Sequence, residues 1–406
     1  MLRLPKGGAS YFPDRDGSME ETLAVRKLDR LGVVLVTAGI VATALLPFIY
    51  VKANRIAAGK PMLLMQLLNQ PSAVILTILL AATAIAVLFL QNPLLRLAIS
   101  SLCLVALLAT IGLAATAFTP PNSNAARMTP GGGFWVLFAV IGLIVSDALV
   151  KIQLTPWMRI AALAAYTGLL GIFLASGQLD NLSIMKEFAT RSAQFWTEAI
   201  AHLLLALGSL AIAIVIGLPL GILCFWVPKL RAAVLQGLSL IQTIPSLALF
   251  GILMLPLGYL ATHVPAAAAI GIRGIGAAPA LIALVLYSLL PIVANTVVGL
   301  QGVDPSVRDA AAGMGLTRRQ ILTGIDLPLA FPVILTGIRI VLVQAIGLVT
   351  VAALIGGGGF GIFIFQGLGQ TAMDLVLLGA VPTVFFAFSS AVILDAVIDS
   401  IRGSAA

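Results

Sequence analysis

The residues best suited to chemistry in this chain form a short polar segment, DAAAGMGLTRRQILTGIDLP, which begins at Asp309. It holds two acids, two adjacent arginines and three glycines in a chain that is 60% hydrophobic and only 9% charged. Charged groups make strong, directional hydrogen bonds, and small residues let another surface approach closely. We therefore expect a partner protein to bind this segment.

The start of the segment predicts a helix that ends in a bend. Asp304 can cap this helix, and Pro305 occupies its first position, where a missing N–H costs nothing. The alanines continue the helix, and Gly313 with Gly315 ends or bends it.

The remainder predicts a second short helix. Thr317 and Gln320 have the spacing of a capping box, and the helix is expected to end near Gly324. Pro328 then opens the next apolar run, again at a position where proline is tolerated. Residues 303–328 thus form a compact helix–turn–helix, which is more structured than an ordinary connecting loop.

The elements that position this segment are membrane-spanning helices. An ordinary soluble chain is about a quarter charged, far more than this one. Its continuous apolar runs of about twenty residues can cross a hydrocarbon core as helices, and the absence of period-two alternation excludes a barrel. We predict an all-α polytopic protein of about ten spans. The predicted spans are 31–51, 72–91, 95–118, 133–150, 158–176, 198–226, 233–260, 278–300, 329–355 and 376–400.

Charge distribution orients these spans. With both termini in the cytoplasm, fifteen of the 23 lysines and arginines lie on the cytoplasmic side and seven on the other, as the positive-inside rule requires. The loop with Lys52, Arg55 and Lys60 opposes that rule. The net charge of +8 is explained by this bias, so we expect membrane lipid and no nucleic acid as a partner.

Four regions follow from this pattern. Residues 1–30 form a cytoplasmic tail, and residues 31–176 form an accessory set of five spans. Residues 177–197 form a periplasmic segment, interpreted as an interfacial helix or, alternatively, a wet extension of the sixth span. Residues 198–400 form a core of five spans that contains the polar segment.

The polar segment resembles the "EAA" motif of ATP-binding-cassette (ABC) importer permeases. The family pattern is Glu-Ala-Ala, three residues, Gly, nine residues and Ile-x-Leu-Pro, and Asp309 in place of Glu is the sole departure. The matching residues are Asp309, Ala310, Ala311, Gly315, Ile325, Leu327 and Pro328.

The resemblance implies a type I importer permease core with an extra N-terminal helical set. The segment would be the coupling helix, which docks into a groove of the ATPase subunit, with Gly313 and Gly315 pressing against it. Three further stretches resemble parts of permeases for osmoprotectants such as glycine betaine and choline. They are IQTIPSLALFGIL from Ile241, LYSLLPIVANTVVGLQGVDP from Leu286 and AALIGGGGFGIFIFQGL from Ala352.

Functions for which this chain has no motif are expected to be supplied by partner proteins. No G-x-x-x-x-G-K-[ST] sequence occurs, so ATP is expected to be bound by a separate ATPase dimer, and this chain is expected to be neither an enzyme nor a cofactor protein. The chain ends just after the last span, so a separate periplasmic or lipid-anchored binding protein is expected to deliver substrate. A second permease subunit, identical or a sister chain, would complete the pore in the inner membrane. The two cysteines and two histidines predict no disulfide and no metal site.

Polar residues within spans are candidates for the translocation pathway, although each could instead serve interhelical packing. The candidates are Gln242, Thr243, Pro245, Ser246, Asn295, Gln344 and Thr350.

The run Gly356, Gly357, Gly358 and Gly359 should end the ninth span, because glycine costs about 1 kcal/mol relative to alanine in a helix. It is either a flexible gate or merely a tight turn. Arg339 is expected to form a structural ion pair with Asp395, which lies at a similar depth on the last span.

Alternative functions are an importer of the same type for amino acids or other small zwitterions, and an ion-coupled secondary transporter. The second alternative is disfavoured because the two halves of the chain do not repeat and acids are few within the spans.

Overall fold

The computed structural model describes residues 29–54, 57–119, 125–269 and 271–404. Most of the predicted cytoplasmic tail, residues 1–30, lies outside the described residues. The described chain is mainly helical, as the sequence predicts. Its α-helices are α1 (Arg30–Leu45), α2 (Pro71–Phe89), α3 (Pro93–Phe118), α4 (Gly132–Ile152), α5 (Pro156–Ala175), α6 (Ser183–Trp226), α7 (Pro228–Thr243), α8 (Ser246–His263), α9 (Pro265–Ala269), α10 (Ala277–Gln301), α11 (Pro305–Gly313), α12 (Arg318–Ile321), α13 (Leu327–Ala352), α14 (Gly361–Gly369) and α15 (Met373–Ser404).

Nine helical segments within these ranges are long and apolar enough to cross a membrane. The helix at the first predicted span, α1, has only 16 residues. At 1.5 Å per residue it is about 24 Å long, shorter than a typical hydrocarbon core. The prediction that this span reaches residue 51 is wrong, because Pro47 follows the helix and a strand begins at Ile49.

Three short strands form a sheet that the sequence analysis did not predict. They are β1 (Ile49–Lys52), β2 (Lys60–Met62) and β3 (Arg127–Pro130), with β1 central and antiparallel to both neighbours. The described structure therefore contains a small β-sheet in addition to the expected α-helices. Strands of three or four residues are too short to show a period-two pattern, and β3 joins the sheet from far along the chain.

The sheet packs against α1–α5 through a shared apolar core. Phe48, Leu107, Ile111 and Met128 are fully buried in this core. The ring of Phe48 meets that of Phe134 edge to face, with centroids 6.0 Å apart. These contacts fix the sheet to one end of the helical bundle.

A charged cluster closes the other end of that bundle. Lys151 Nζ lies 2.7 Å from Asp29 Oδ2 and 2.6 Å from Asp147 Oδ2, and Arg96 Nη1 lies 3.3 Å from Asp29 Oδ2. The hydrogen bond from Lys151, assisted by Gly32 N–H and Arg96 and opposed by burial, lowers the pKa of Asp29 to about 2. The carboxylate therefore stays charged at neutral pH and ties the starts of α1 and α3 to the end of α4.

Helices α6, α10, α13 and α15 pack against one another in the C-terminal half, and small residues let their backbones approach. A Cβ added to Gly217 on α6 would lie 2.9 Å from Ile292 Cγ2 on α10. A Cβ added to Gly337 on α13 would lie 2.8 Å from Asn295 Cβ on α10. We conclude that α10 is held tightly between α6 and α13.

The sixth span begins earlier than predicted. The helix α6 extends from Ser183 to Trp226, and its one internal residue with non-helical backbone angles is Arg191 (φ −126°, ψ 21°). The predicted boundary between 197 and 198 therefore falls inside continuous helix. Residues 192–197 are an extension of the sixth span, which is one of the two interpretations of residues 177–197. Residues 183–190 form the part of α6 before the kink. This part contacts the sheet through Ser183 Oγ, which lies 3.1 Å from Thr129 Oγ1.

The seventh span is shifted and divided. The predicted helix 233–260 is interrupted at Ile244 and Pro245, between α7 and α8. Proline lacks an N–H and pushes the preceding residue into extended backbone, as at Ile244 (ψ 126°). The membrane-length helix is therefore α8, Ser246–His263.

Contacts between helix ends define two ends of the molecule. At one end, Phe225 near the end of α6 contacts Arg308 of the polar segment, with the guanidinium carbon 5.1 Å from the ring centroid. At the opposite end, Gly276 N–H donates to the carbonyl of Ile355, which joins the start of α10 to the end of α13 (2.7 Å). The sheet lies at this second end, next to the start of α6.

The predicted ion pair within the core is confirmed. Arg339 Nη1 on α13 lies 2.6 Å from Asp395 Oδ1 on α15. Both side chains are about one-third exposed to the surroundings of the single subunit (36% and 39%). In an apolar membrane, either charge left alone is costly, so the pair should stabilise the contact between the two helices.

A double-mutant cycle tests that stabilising role. Arg339→Ala and Asp395→Ala should each lower the free energy of unfolding in detergent, and the double variant should lose less than the sum of the two. We expect a coupling energy of about 1 kcal/mol or more, measured by thermal unfolding of purified protein. Strictly additive losses would show that the pair contributes no net stability.

Candidate functional sites at the two ends of the core

The segment with the EAA-like spacing, residues 303–328, is hereafter the coupling segment, and its first helix forms as the sequence predicts. Asp304 caps α11 by accepting a hydrogen bond from Ser306 N–H at 2.8 Å. This backbone hydrogen bond holds the pKa of Asp304 below its usual value. Asp309 and Ala310 are exposed, whereas Ala311 is buried (1% exposed), so α11 presents one face outward and packs the other against the core.

The bend after α11 is a Schellman motif. The backbone N–H of Gly315 donates to Ala312 O at 3.0 Å, and that of Leu316 donates to Ala311 O at 3.2 Å. Gly315 has a left-handed backbone (φ +84°), which explains the glycine there. Gly313 is the last helical residue, so the left-handed turn itself is at Gly315 alone. An added Cβ at either glycine meets no atom within 4 Å, and Met314 between them is 74% exposed, so the bend presents an open convex surface.

The second helix begins with the predicted capping box but does not end at Gly324. Thr317 N–H donates to Gln320 Oε1 at 2.8 Å, and Gln320 N–H donates to Thr317 Oγ1 at 3.4 Å. The chain then passes through a π-helical turn, Leu322–Asp326, directly into α13. The expected stop near Gly324 is therefore wrong, and the coupling segment is continuous with a membrane helix. Ile325 and Leu327 are half-buried in this junction, and Pro328 is exposed at the start of α13.

Arg308 anchors the coupling segment to the core. Its Nε lies 2.7 Å from Asp326 Oδ1, and its Nη2 donates to the carbonyl of Leu300 at the end of α10. The Asp326 side chain is only 6% exposed. The guanidinium also stacks against Phe225 of α6, so one side chain joins α6, α10, α11 and the start of α13.

The sequence analysis missed this anchor, although a signal was present. Asp326 is the last polar residue before an apolar run, and Arg308 is the nearest cation before the bend. A buried acid at a span end needs a partner, but sequence alone offered several arginines.

At the opposite end, the four glycines Gly356–Gly359 form the glycine turn. Gly356, Gly358 and Gly359 all have left-handed backbones (φ +77°, +84° and +87°). The turn follows a short 3₁₀ stretch that ends α13 and leads into α14. The prediction that these glycines end the ninth span is confirmed.

Two polar side chains on α6 hold the glycine turn. Glu198 Oε2 accepts a hydrogen bond from Gly359 N–H at 2.7 Å. His202, one helical turn further along, accepts from Phe360 N–H through Nδ1 at 3.3 Å, and its Nε2 donates to Ile346 O on α13 at 3.0 Å. His202 is fully buried (0% exposed), so both ring nitrogens are satisfied within the protein.

The same turn is enclosed by aromatic rings. Phe360 is fully buried, and its ring centroid lies 5.2 Å from that of Phe195, 5.1 Å from that of His202 and 5.8 Å from that of Phe386. An added Cβ at Gly359 would lie 3.0 Å from His202 Nδ1. The turn thus joins α6, α13, α14 and α15 with little free space. A carboxylate and an imidazole at i and i+4 in an apolar span were the missed signal for this site.

Four of the predicted pathway residues lie together at the break between α7 and α8. Gln242 Nε2 donates to Tyr287 O on α10 at 2.8 Å, and the Tyr287 hydroxyl donates to Ile244 O. Gln242 and Tyr287 therefore brace the break. Thr243 and Pro245 are exposed and Ser246 is half-buried.

The other three predicted pathway residues lie apart from this break. Asn295 donates to Pro291 O on its own helix at 2.8 Å and packs against Gly337. Gln344 is half-buried on α13. Thr350 donates to Gly347 O at 2.6 Å and lies thirteen residues beyond Gly337, about 20 Å along α13. Within this subunit the seven candidates do not form one site.

Two family models match adjacent parts of the chain. Residues 213–403 match the binding-protein-dependent transport system inner membrane component, and residues 29–185 match the N-terminal domain of ABC transporter permease YehY. The second match covers the five accessory helices and the sheet.

Curated relatives agree with these matches. The carnitine transport permease protein of Listeria monocytogenes is 37% identical over 46% of this chain and 78% of its own length. The glycine betaine/carnitine/choline transport system permease protein of Bacillus subtilis is 34% identical over 46% of this chain and 78% of its own length. The osmoprotectant import permease protein of Salmonella typhimurium is 39% identical over 44% of this chain and 78% of its own length.

A solved structure of the MetNI methionine ABC transporter in inward-facing conformations is 20% identical to this chain, with a TM-score of 0.46, and the match covers 52% of this chain and 97% of that one.

The apolar helices, the coupling segment with its EAA-like spacing, and the relatives matched over most of their length lead to one conclusion. The chain belongs to the family of binding-protein-dependent transport system inner-membrane components and is a multi-pass permease subunit of an ABC transporter.

Proposed function

We propose that this permease imports osmoprotectants of the glycine betaine, carnitine and choline class across the inner membrane. The observation that supports this class is the agreement among relatives in three bacteria, each at least 34% identical and each named for such a substrate or for osmoprotectants in general. All of these compounds carry a quaternary ammonium group, a compact cation that cannot donate hydrogen bonds. Such a solute needs few fixed polar contacts during passage, in keeping with the scarcity of polar groups in the spans.

The energy is proposed to come from a separate ATPase dimer that docks on the coupling segment. The exposed bend at Met314 and Gly315 offers a convex, uncrowded surface for a groove on the ATPase. Arg308 and Asp326 hold this surface rigidly against three helices, so a displacement of the bend is carried into the membrane rather than absorbed locally. In this arrangement the coupling segment and both termini lie in the cytoplasm.

The movement is proposed to reach the outer side through α13. This helix has 26 residues and begins directly after the π-helical turn of the coupling segment, so it spans about 39 Å and ends beside the glycine turn. The glycine turn has two hydrogen bonds to α6, from Gly359 to Glu198 and from Phe360 to His202. We infer that the turn is the outer gate and that Glu198 and His202 hold it in the conformation described.

The pathway itself is proposed to lie between this chain and a second permease subunit, either a copy or a sister chain. Helix α8 supports this arrangement, because much of its apolar surface is exposed in the single subunit. Leu255 and Tyr259 on α8 are 81% and 66% exposed. Thr243, Pro245 and Ser246, at the break before α8, are then placed to line the pathway, with Gln242 bracing them.

Substrate class is tested by uptake into proteoliposomes that contain this permease, its ATPase and its binding protein. Radiolabelled glycine betaine, carnitine and choline should accumulate in an ATP-dependent manner. A tenfold excess of methionine or histidine should leave this uptake unchanged. Accumulation of an amino acid in place of the quaternary ammonium compounds would assign the alternative zwitterion-importer function.

Gly315→Arg tests the coupling segment. The long side chain at the exposed bend should keep the ATPase groove from closing on it, so substrate-stimulated ATP hydrolysis and uptake should fall to background. Membrane insertion and docking of the binding protein should be retained. Gly315→Asn is the matched control, because asparagine tolerates a left-handed backbone and is small, and it should retain most of the activity. Wild-type uptake by Gly315→Arg would remove the coupling role.

Glu198→Ala tests the glycine turn as a gate. The change removes the acceptor for Gly359 N–H and leaves a buried donor unpaired, which costs about 1–3 kcal/mol in the conformation described. Uptake should fall about tenfold, while ATP hydrolysis becomes less dependent on substrate. Glu198→Gln keeps an oxygen acceptor and should remain close to wild type. If both variants transport at the wild-type rate with unchanged ATPase stimulation, the glycine turn is only a tight turn.

A further inference from the structure

We propose that the sheet of the accessory region is a second docking surface for the transporter's substrate-binding protein, and that it fits an acidic patch on that protein. The surface consists of the exposed edge formed by β1 and β2 and of the groove that β1 and β3 form with the starts of α4 and α15, hereafter the accessory groove. This proposal rests on the proposed function for the sidedness of the chain and for the existence of a binding protein. It assigns a role to the accessory region and does not depend on the substrate.

The position of the sheet places it on the outer side. Thr129 of β3 contacts Ser183 at the start of α6, and Met128 bridges to Leu182. The helix α6 then passes Glu198 beside the glycine turn and ends at Trp226 beside the coupling segment. The sheet and the coupling segment are therefore at opposite ends of α6, and a cytoplasmic coupling segment puts the sheet outside.

The outer end carries cations that no internal acid neutralises. Within the described residues, neither Lys52 nor Lys60 lies within ion-pair distance of a carboxylate. The register pairs Lys60 of β2 with Val51 of β1, so Lys60 and Lys52 are adjacent in the ladder but project from opposite faces of the sheet, and Lys52 is the one that lines the groove. Lys60 is exposed and Lys52 is half-buried. Cations on this side oppose the positive-inside rule, so topology does not explain them.

Acids at the same end are already engaged. Glu187 lies 3.5 Å from Arg191, and Glu198 accepts the hydrogen bond from Gly359. Asp374 is buried and accepts from Leu375 N–H. Asp180 alone is an exposed acid in this group, so the outer surface of the accessory region is net basic and suits an acidic partner.

The accessory groove is shared between the accessory region and the permease core. It encloses about 470 Å³ and is lined by Tyr50, Lys52, Trp135, Met373 and Leu377, among others. Met373 is 54% exposed and opens α15, directly after the α14 segment that follows the glycine turn. A protein loop seated in the groove would touch both regions at once, which makes the surface continuous with the outer face of the core.

The partner is expected to bind through side chains rather than by adding a strand. The edge strand β2 carries Lys60 and Pro61, and a proline cannot donate a ladder hydrogen bond. Tyr50 and Trp135, whose residue types are enriched at protein interfaces, instead provide apolar contact next to the cation of Lys52.

The test measures docking directly, with the full transporter in nanodiscs of zwitterionic lipid and the transporter's own labelled binding protein. The double variant Lys52→Glu and Lys60→Glu should weaken docking about tenfold or more and reduce its dependence on salt. Lys52→Arg with Lys60→Arg keeps both charges and should dock like wild type. Basal ATP hydrolysis should be unchanged in both, because the coupling segment is at the other end.

Three results would overturn the proposal. Docking of the charge-reversed variant could equal that of wild type at low and high salt. Docking could change only in nanodiscs that contain anionic lipid, which would assign the lysines to lipid headgroups. The neutral variant Lys52→Gln with Lys60→Gln, used if charge reversal prevents folding, could dock like wild type. If instead the proposed substrate class is wrong, the uptake assay fails while docking of the binding protein is intact, so the two failures are distinguishable.

Discussion

The contact that the rest of the functional architecture depends on is the partly buried ion pair between Arg308 and Asp326. Removing a charge from water is costly unless it is paired and hydrogen-bonded, and Asp326 is satisfied by Arg308 in a nearly buried position. Since the same guanidinium also binds Leu300 O and stacks on Phe225, the coupling segment cannot shift without moving three helix ends. The bend at Gly315 is thereby a rigid projection, and rigidity is what lets a surface element transmit force.

The opposite end of α13 shows the complementary arrangement, because the chain there is held by few but specific hydrogen bonds. Three glycines with left-handed backbones carry no side chains of their own, so the glycine turn relies on the neighbouring aromatic rings and on the hydrogen bonds to Glu198 and His202 for its position. Helix α13 is anchored at one end by the ion pair and held at the other by hydrogen bonds that can break. Such a helix can convert a displacement of its anchored end into the opening of a gate at the other end. The π-helical turn Leu322–Asp326 places the anchored end in register with the membrane helix without a loop.

Sequence reasoning predicted those features whose cause is local. The cap at Asp304, the capping box at Thr317, the end of α13 at the glycines and the position of most spans follow from short-range rules, and the structure confirms them. The contact between Arg339 and Asp395 is also predictable, because an isolated charge in a span needs a partner at similar depth. The errors arose where a distant residue decides the outcome. The sheet needs β3, the break before α8 is braced by Tyr287, and the glycine turn is held by α6.

The accessory region is attached to the core at both ends of the membrane. Near the coupling end, Arg159 Nη1 of α5 lies 2.6 Å from Asp399 Oδ2 of α15, and at the other end the sheet contacts the start of α6. The kink at Arg191 lies between that sheet contact and Glu198, the residue that holds the glycine turn. A load applied to the sheet therefore reaches α6 first on the outer side of the kink, within two helical turns of the gate. Attachment to the same helix that holds the gate gives the accessory region a mechanical route to the outer side of the pathway, which five helices serving only as a membrane anchor would not require.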